Sequence, residues 1–298
     1  MLLSVFSCYN CRFCLMPEKS RFLSVKDSIA SFLNSGLKTR LEDSEDSLRI
    51  FEHDMEIAGK IQRNILPESV PAIAGYDIGA VFKPAKEVGG DFYDFIPLLS
   101  ATDSMGIVVA DVEDKGLPAA MYALLAHGML YSTLSAYSRA TPVKALSFLN
   151  MELRHIVREQ VSLTMFLGEL DPRNHTFKYA RAGHERPMAF DRAGHWLLGE
   201  ARTQGQPLNM FDDPDFDTGS FSFPPGGTVL LFTDGIADET DPDDQMYGHA
   251  SIARAIIQNP ELPAQALCDL IMEDLELHRD GTPQYDDYTL VVIKRKNQ

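Results

Sequence analysis

Four aspartates stand where an apolar, strand-like run meets a turn, and their type and placement suit hard divalent cations. Asp91 lies in Glu87–Asp94, Glu-Val-Gly-Gly-Asp-Phe-Tyr-Asp, behind a Gly-Gly pair that lets the backbone bend tightly and bring a carboxylate close to a small charged group. Asp111 ends the β-branched run Ile107–Val109 within Val108–Ala120 and precedes a Gly-Leu-Pro helix start. Asp234 closes Thr228–Thr233 in Thr-Asp-Gly, and the pair Asp286–Asp287 precedes the strand-like Tyr288–Lys294. Each of these alone reads as an ordinary turn. Carboxylates separated by such long stretches of chain gain a common purpose if they converge on magnesium or manganese, which take oxygen ligands and keep several waters.

Their order narrows the choice. Gly-Gly-Asp-Phe-Tyr-Asp, Asp-Val-x-Asp-Lys-Gly-x-Pro-Ala-Ala, Ala-Gly-His, Phe-Thr-Asp-Gly-Ile and Asp-Asp-Tyr-Thr-Leu follow one another between about Ile57 and Lys296. The set resembles the metal-dependent PPM-type serine/threonine phosphatases, specifically their bacterial SpoIIE/RsbU-like branch. Diguanylate cyclases also carry Gly-Gly-Asp, but their motif continues Glu-Phe and leaves the later aspartates without a place.

The resemblance implies a site of two divalent cations, Mn2+ or Mg2+. Asp111 bridges them, the Val112 carbonyl adds a ligand, Asp234 and Asp286 hold the first, and Asp91 sits by the second directly or through water. Asp287 orients a water; Asp94 and Asp114 are structural or solvent-facing. Two cations about 3.5–4 Å apart lower the pKa of a shared water and hold it in line with phosphorus, so no covalent phospho-enzyme is needed. A cysteine nucleophile is excluded, because no cysteine lies between Met16 and Leu267 and Cys268 falls within a helical pattern. Lys86, five residues before Asp91, occupies the offset of a phosphate-binding arginine in the eukaryotic enzymes, although a surface lysine fits it equally. Glu113-Asp114-Lys115 departs from the small residues and histidine of many relatives. Glu113 either tightens a metal site or repels phosphate there, and no histidine stands as general acid, which leaves protonation of the leaving group to water. His184, in Ala-Gly-His, reads as a buried structural histidine, since an imidazole ligand would be foreign to an all-oxygen site. Gly205-Gln206-Pro207-Leu208 resembles the family's Gly-x-Pro-Leu segment beside the active site.

The elements that must position these groups read as α+β. Strands are expected at Tyr76–Lys83, Phe92–Leu98, Met105–Asp111, Leu163–Leu170, Thr176–Ala182, Met188–Asp191, His195–Leu198, Phe216–Phe223, Thr228–Thr233 and Tyr288–Lys294. Helices are expected at Leu117–Tyr137, Pro142–Glu159, Ala250–Gln258 and Pro263–His278. The resemblance, rather than the periodicity, implies a four-layer α/β/β/α sandwich of two antiparallel sheets flanked by helices, over residues 71–298. Ahead of it, Leu37–Leu66 is helical, a linker helix within 37–70. Leu41, Leu48 and Met55 repeat every seven residues, with Phe51, Ala58 and Ile65 as a companion seam broken by Ser44 and Gln62. A coiled-coil homodimer and a single helix packed on its own catalytic domain satisfy that pattern equally. Gly59 inside it costs about 1 kcal/mol relative to alanine. Residues 1–36 read as a disordered or helical tail: Cys8, Cys11 and Cys14 lack a fourth ligand for a metal, no basic segment marks a signal peptide, and a start at Met16 is as compatible as one at Met1.

Composition sets the remaining bounds. The chain has 298 residues, 45% hydrophobic, and a mean hydropathy of −0.14, suited to a water-soluble domain with an ample core. A net charge of −16 argues against nucleic acid or an anionic membrane as partner, and no apolar run approaches the roughly 20 residues of a membrane span. Four unframed cysteines fit a reducing cytoplasm. Two function classes follow. One is a phosphoserine/phosphothreonine phosphatase whose substrate, by family analogy, is a phosphorylated STAS-domain anti-sigma-factor antagonist in a partner-switching pathway. The other is a catalytically silent module of the same fold that docks the same partner; the presence of all four aspartates favours the enzyme.

Overall fold

A computed structural model describes residues 44–99, 103–136, 141–199, 203 and 205–297. The cysteine-bearing tail and Leu41 lie outside them. Helix α1 covers residues 44–65. Among the described residues, 44–54 and those from 55 onward form separate units. The described part of the first is helical, with Leu48, Ile50 and Phe51 exposed.

In the second unit the strands are β1 (Tyr76–Lys83), β2 (Phe92–Pro97), β3 (Met105–Val112), β4 (Leu163–Asp171), β5 (Thr176–Ala182), β6 (Met188–Phe190), β7 (Asp217–Ser222), β8 (Thr228–Phe232) and β9 (Tyr288–Arg295). The helices are α2 (Leu117–Ala136), α3 (Pro142–Ile156), α4 (Asp234–Ala237), α5 (Gly248–Gln258) and α6 (Ala264–Arg279). All pairings are antiparallel, in a four-stranded sheet ordered β1-β9-β8-β6 and a five-stranded sheet ordered β2-β3-β4-β5-β7.

Side-chain alternation explains the layering. Along β3, Ile107 and Val109 enter the core shared with Val229, Leu231, Val291 and Ile293 of the other sheet. The intervening Val108, Ala110 and Val112 pack with Leu130, Leu146 and Leu149 of α2 and α3. Along β8 the same period of two sends Leu230 and Phe232 toward Ile252, Leu267 and Ile271 of α5 and α6. Strands buried on both faces therefore read as continuous apolar runs, and the result is the expected four-layer α/β/β/α sandwich. Thr141 caps α3 ahead of Pro142, its side chain accepting from the Lys144 amide at 3.5 Å.

Two local expectations fail. Residues 195–198 form no strand; Trp196 makes one bridge to Phe190. Asp191 accepts from the amides of Ala193 and His195 and turns the chain back, where the Leu197 amide donates to the Ala189 carbonyl at 2.9 Å. The short α4 begins at Asp234 itself, where Thr-Asp-Gly reads as a turn.

Candidate active site

Strand register brings the aspartates to one end of the sandwich. Phe92 pairs with Ala110, so Asp91, just before β2, lies across from Asp111 near the end of β3. In the other sheet Phe232 pairs with Leu290, which sets Asp234 beside the start of β9 and hence beside Asp286 and Asp287. Odd-numbered positions of β3 face the opposite sheet, so Asp111 continues the Ile107–Val109 side into the gap between the sheets.

Asp91 is buried, and its Oδ2 accepts from two hydroxyls of the opposite sheet, Thr233 at 2.7 Å and Thr289 at 2.6 Å. The Thr233 hydroxyl in turn accepts from the Thr289 amide at 3.1 Å. These threonines tie the two sheets together at the site. Neither had been given a role from sequence, although both lie inside the quoted motifs.

Asp287 has a structural part as well: it is buried and anchors the loop before β2, accepting from the amides of Ala85 at 2.8 Å and Asp91 at 3.3 Å. The Gly-Gly pair permits this close approach. A Cβ on Gly89 would lie 2.2 Å from Asp287 Oδ2, and one on Gly90 would lie 2.8 Å from the Val112 carbonyl.

The carboxylates perturb one another. Burial first, then the charges of Asp111 and Asp287, push Asp91 well above the usual carboxylate range. Asp111 is pushed up to about 7 by burial and then by Asp234 and Asp286, while a hydrogen bond with Asp91 pulls the other way. Asp234 rises to about 6 through burial, Asp286, Asp238 and Glu185. Such mutual repulsion marks a cluster short of positive charge. Only oxygen donors converge here, the set that magnesium and manganese prefer, so these residues fit a divalent-cation site. No three acidic, histidine or cysteine groups among the described residues close into a ready-made coordination shell. One oxygen of Asp286 is taken by Lys115, whose Nζ lies 2.8 Å away, donates to the Tyr285 carbonyl at 2.7 Å and sits 3.5 Å from the centre of the Tyr285 ring.

Raised carboxylate pKa values have a signed consequence. Stability tied to such a group is fully present below the unfolded value of about 3.9 and is lost as pH rises through the folded values near 6 and 7. The metal-free protein is therefore expected to unfold at progressively lower temperature as pH is raised from 5 to 8, and manganese should flatten that trend; thermal scans with and without chelator check it.

The remaining sequence candidates are dispersed. Lys86 is exposed and makes no ion pair among the described residues. Glu113 and Asp114 are exposed, Asp114 with a left-handed φ of 77°. Asp94 is buried and structural, paired at 2.8 Å with His127 of α2. His184 is also buried, with Nδ1 2.8 Å from the Thr164 hydroxyl, and burial lowers its pKa to about 4, so the ring is neutral. His184→Ala should cost about 1–3 kcal/mol of stability in a denaturant melt and leave metal-dependent turnover of the folded fraction largely intact.

A model of the family Stage II sporulation protein E (SpoIIE) matches residues 101–296. The chain belongs to the SpoIIE family. Among curated relatives, Protein IcfG of Synechocystis sp. is 28% identical over 294 residues, covering 89% of this chain and 45% of that protein. Phosphoserine phosphatase RsbU of Bacillus subtilis is 28% identical over 245 residues, covering 82% and 70% respectively. The chain thus spans less than half of IcfG. Among solved structures, the SiaA-PP2C domain of Pseudomonas aeruginosa superposes with a TM-score of 0.72 at 23% identity, covering 83% of this chain and 98% of that one. The PP2C phosphatase domain with a fragment of the regulatory domain of SpoIIE from Bacillus subtilis gives 0.60 at 20% identity, covering 74% and 63%. These likenesses show that this SpoIIE-family chain has the PPM-type, or PP2C, phosphatase fold.

Proposed function

We propose that this SpoIIE-family chain is a metal-dependent protein serine/threonine phosphatase of the cytoplasm, acting on a phosphorylated STAS-domain protein. The observation that carries this reading is the convergence of Asp91, Asp111, Asp234 and Asp286 at one end of the sandwich, where burial and neighbouring carboxylate charge raise the pKa values of Asp91, Asp111 and Asp234. Asp111, Asp234 and Asp286 would hold the first of two Mn2+ or Mg2+ ions, and Asp111 with Asp91 and the Val112 carbonyl the second. Bound there, such ions supply positive charge to the phosphoryl oxygens and acidify a water. The chain's own groups do the rest. Thr233 and Thr289 hold one oxygen of Asp91 and leave the other for a cation. Asp287 fixes the loop that brings Gly90 against the Val112 carbonyl. Lys115, once released from Asp286, lies at the cluster as a cation able to meet a phosphoryl oxygen or a leaving serine. Lys86 is the second such cation, further out and solvated.

The name phosphoserine phosphatase, carried by the RsbU relative, supports phosphoserine as the bond attacked. The test is phosphate release by the full chain from phosphorylated STAS-domain proteins of the same cell, set against a phosphoserine peptide of matched sequence. A kcat/KM at least 100-fold higher on one STAS protein supports the substrate. Equal rates would reject a docked protein substrate, and tight binding of the phosphoprotein without release would mark the chain as a silent docking module.

A further inference from the structure

Two features of α1 that make little sense in a free helix find their partners in the loop that carries Asp91. Gln62, a polar break in an otherwise apolar seam, is 3% exposed. Its Nε2 donates to the Gly89 carbonyl at 2.7 Å and its Oε1 accepts from the Gly89 amide at 3.0 Å. One side-chain amide thus pairs with both backbone groups of a single residue, as a neighbouring strand would. Gly59, one turn earlier, is also buried. A Cβ there would lie 2.2 Å from the Glu87 carbonyl oxygen, so the helix backbone rests directly on the loop and only glycine permits the approach.

The opposite side of the same loop is held by Asp287 through the amides of Ala85 and Asp91. Residues 85–91 are therefore clamped between a helix and a carboxylate, with Asp91 two residues beyond the point that Gln62 grips. The regular pairing of β2 begins only at Phe92 and does not fix this segment. Without the Gln62 bonds, the Gly89 peptide would be a buried donor and acceptor with nothing to pair with, and the Gly-Gly segment is the part of the chain freest to adopt another path.

We propose that Gln62 is a positioning residue for Asp91. Its amide clamp, seated by Gly59, fixes the loop so that the Asp91 carboxylate meets Asp111, and cation affinity on the Asp91 side of the cluster depends on it. This rests on the divalent-cation reading of the cluster. The helix preceding the sandwich is then part of the site itself.

The test is Mn2+ binding to the full chain, followed by calorimetric titration and by the electron paramagnetic resonance of free Mn2+, alongside thermal unfolding in chelator. Gln62→Leu removes both bonds. Gln62→Glu keeps the size and the acceptor but loses the donor, and Gly59→Ala lifts the helix from the loop. The wild-type chain is expected to bind two Mn2+ ions. Each variant is expected to keep one site near wild-type affinity and to weaken the other about tenfold or more, the scale at which groups supporting metal ligands act. Lower unfolding temperatures with both Mn2+ affinities unchanged would make Gln62 a purely structural residue and overturn the proposal. Should Gln62→Leu not fold, the same comparison on Gln62→Glu and Gly59→Ala decides it. No Mn2+ binding by the wild-type chain would overturn the cation reading and this proposal with it, whereas wild-type binding with unaltered variants overturns this proposal alone.

Discussion

Asp111→Asn and Asp234→Asn are each expected to lower phosphate release by about 10³-fold or more while the protein stays folded. Each substitution removes a charge from a crowded carboxylate set in which burial and neighbouring charge raise Asp111 to about 7 and Asp234 to about 6. In the active protein that charge would hold a cation, and loss of a single electrostatic contact to a reacting centre already costs about 10²- to 10³-fold. Without metal the same change relieves repulsion, so the melting temperature in chelator should hold or rise. Steady-state kinetics and a thermal scan on the same samples separate the two effects. An inactive variant that also unfolds would mean that Asp111 or Asp234 is needed for the fold rather than the chemistry.

Asp287→Ala is expected to damage both. Its carboxylate is buried and accepts from the amides of Ala85 and Asp91, and each buried donor left unpaired costs about 1–3 kcal/mol. A loss of about 2–6 kcal/mol in a denaturant melt should therefore accompany a fall in Mn2+ affinity, because the loop that presents Asp91 is freed on that side. Asp287→Asn, which keeps one acceptor oxygen, should fall between Asp287→Ala and wild type in both measurements. Equal stability of Asp287→Ala and wild type would remove Asp287 from its place as the loop anchor.

The contrast between Asp286 and Asp287 shows what the sequence could and could not disclose. Both stand in Asp-Asp-Tyr-Thr-Leu before β9, and one-dimensional spacing cannot tell which faces the cluster and which grips a loop about 200 residues earlier. Strands were legible where both faces are buried, as in β3 and β8, because continuous apolar runs such as Ile107–Ala110 and Val229–Phe232 have few other uses. The bridge at Trp196 was not, since one bridge across a turn held by Asp191 leaves no paired run to read. Thr233, Thr289 and Gln62 were visible as residues but not as partners; their bonds join positions 142, 198 and 27 residues apart. The contact of the preceding helix with the site runs from Gln62 to the Gly-Gly segment itself.

The central claim is that the carboxylate cluster works through bound divalent cations on a phosphoprotein. The most direct measurement is phosphate release from a phosphoserine protein by the full chain, first in excess chelator and then as Mn2+ or Mg2+ is titrated back. Activity should be absent in chelator and should return in step with cation binding at the cluster, with no recovery in Asp111→Asn. Undiminished phosphate release in excess chelator would contradict the account.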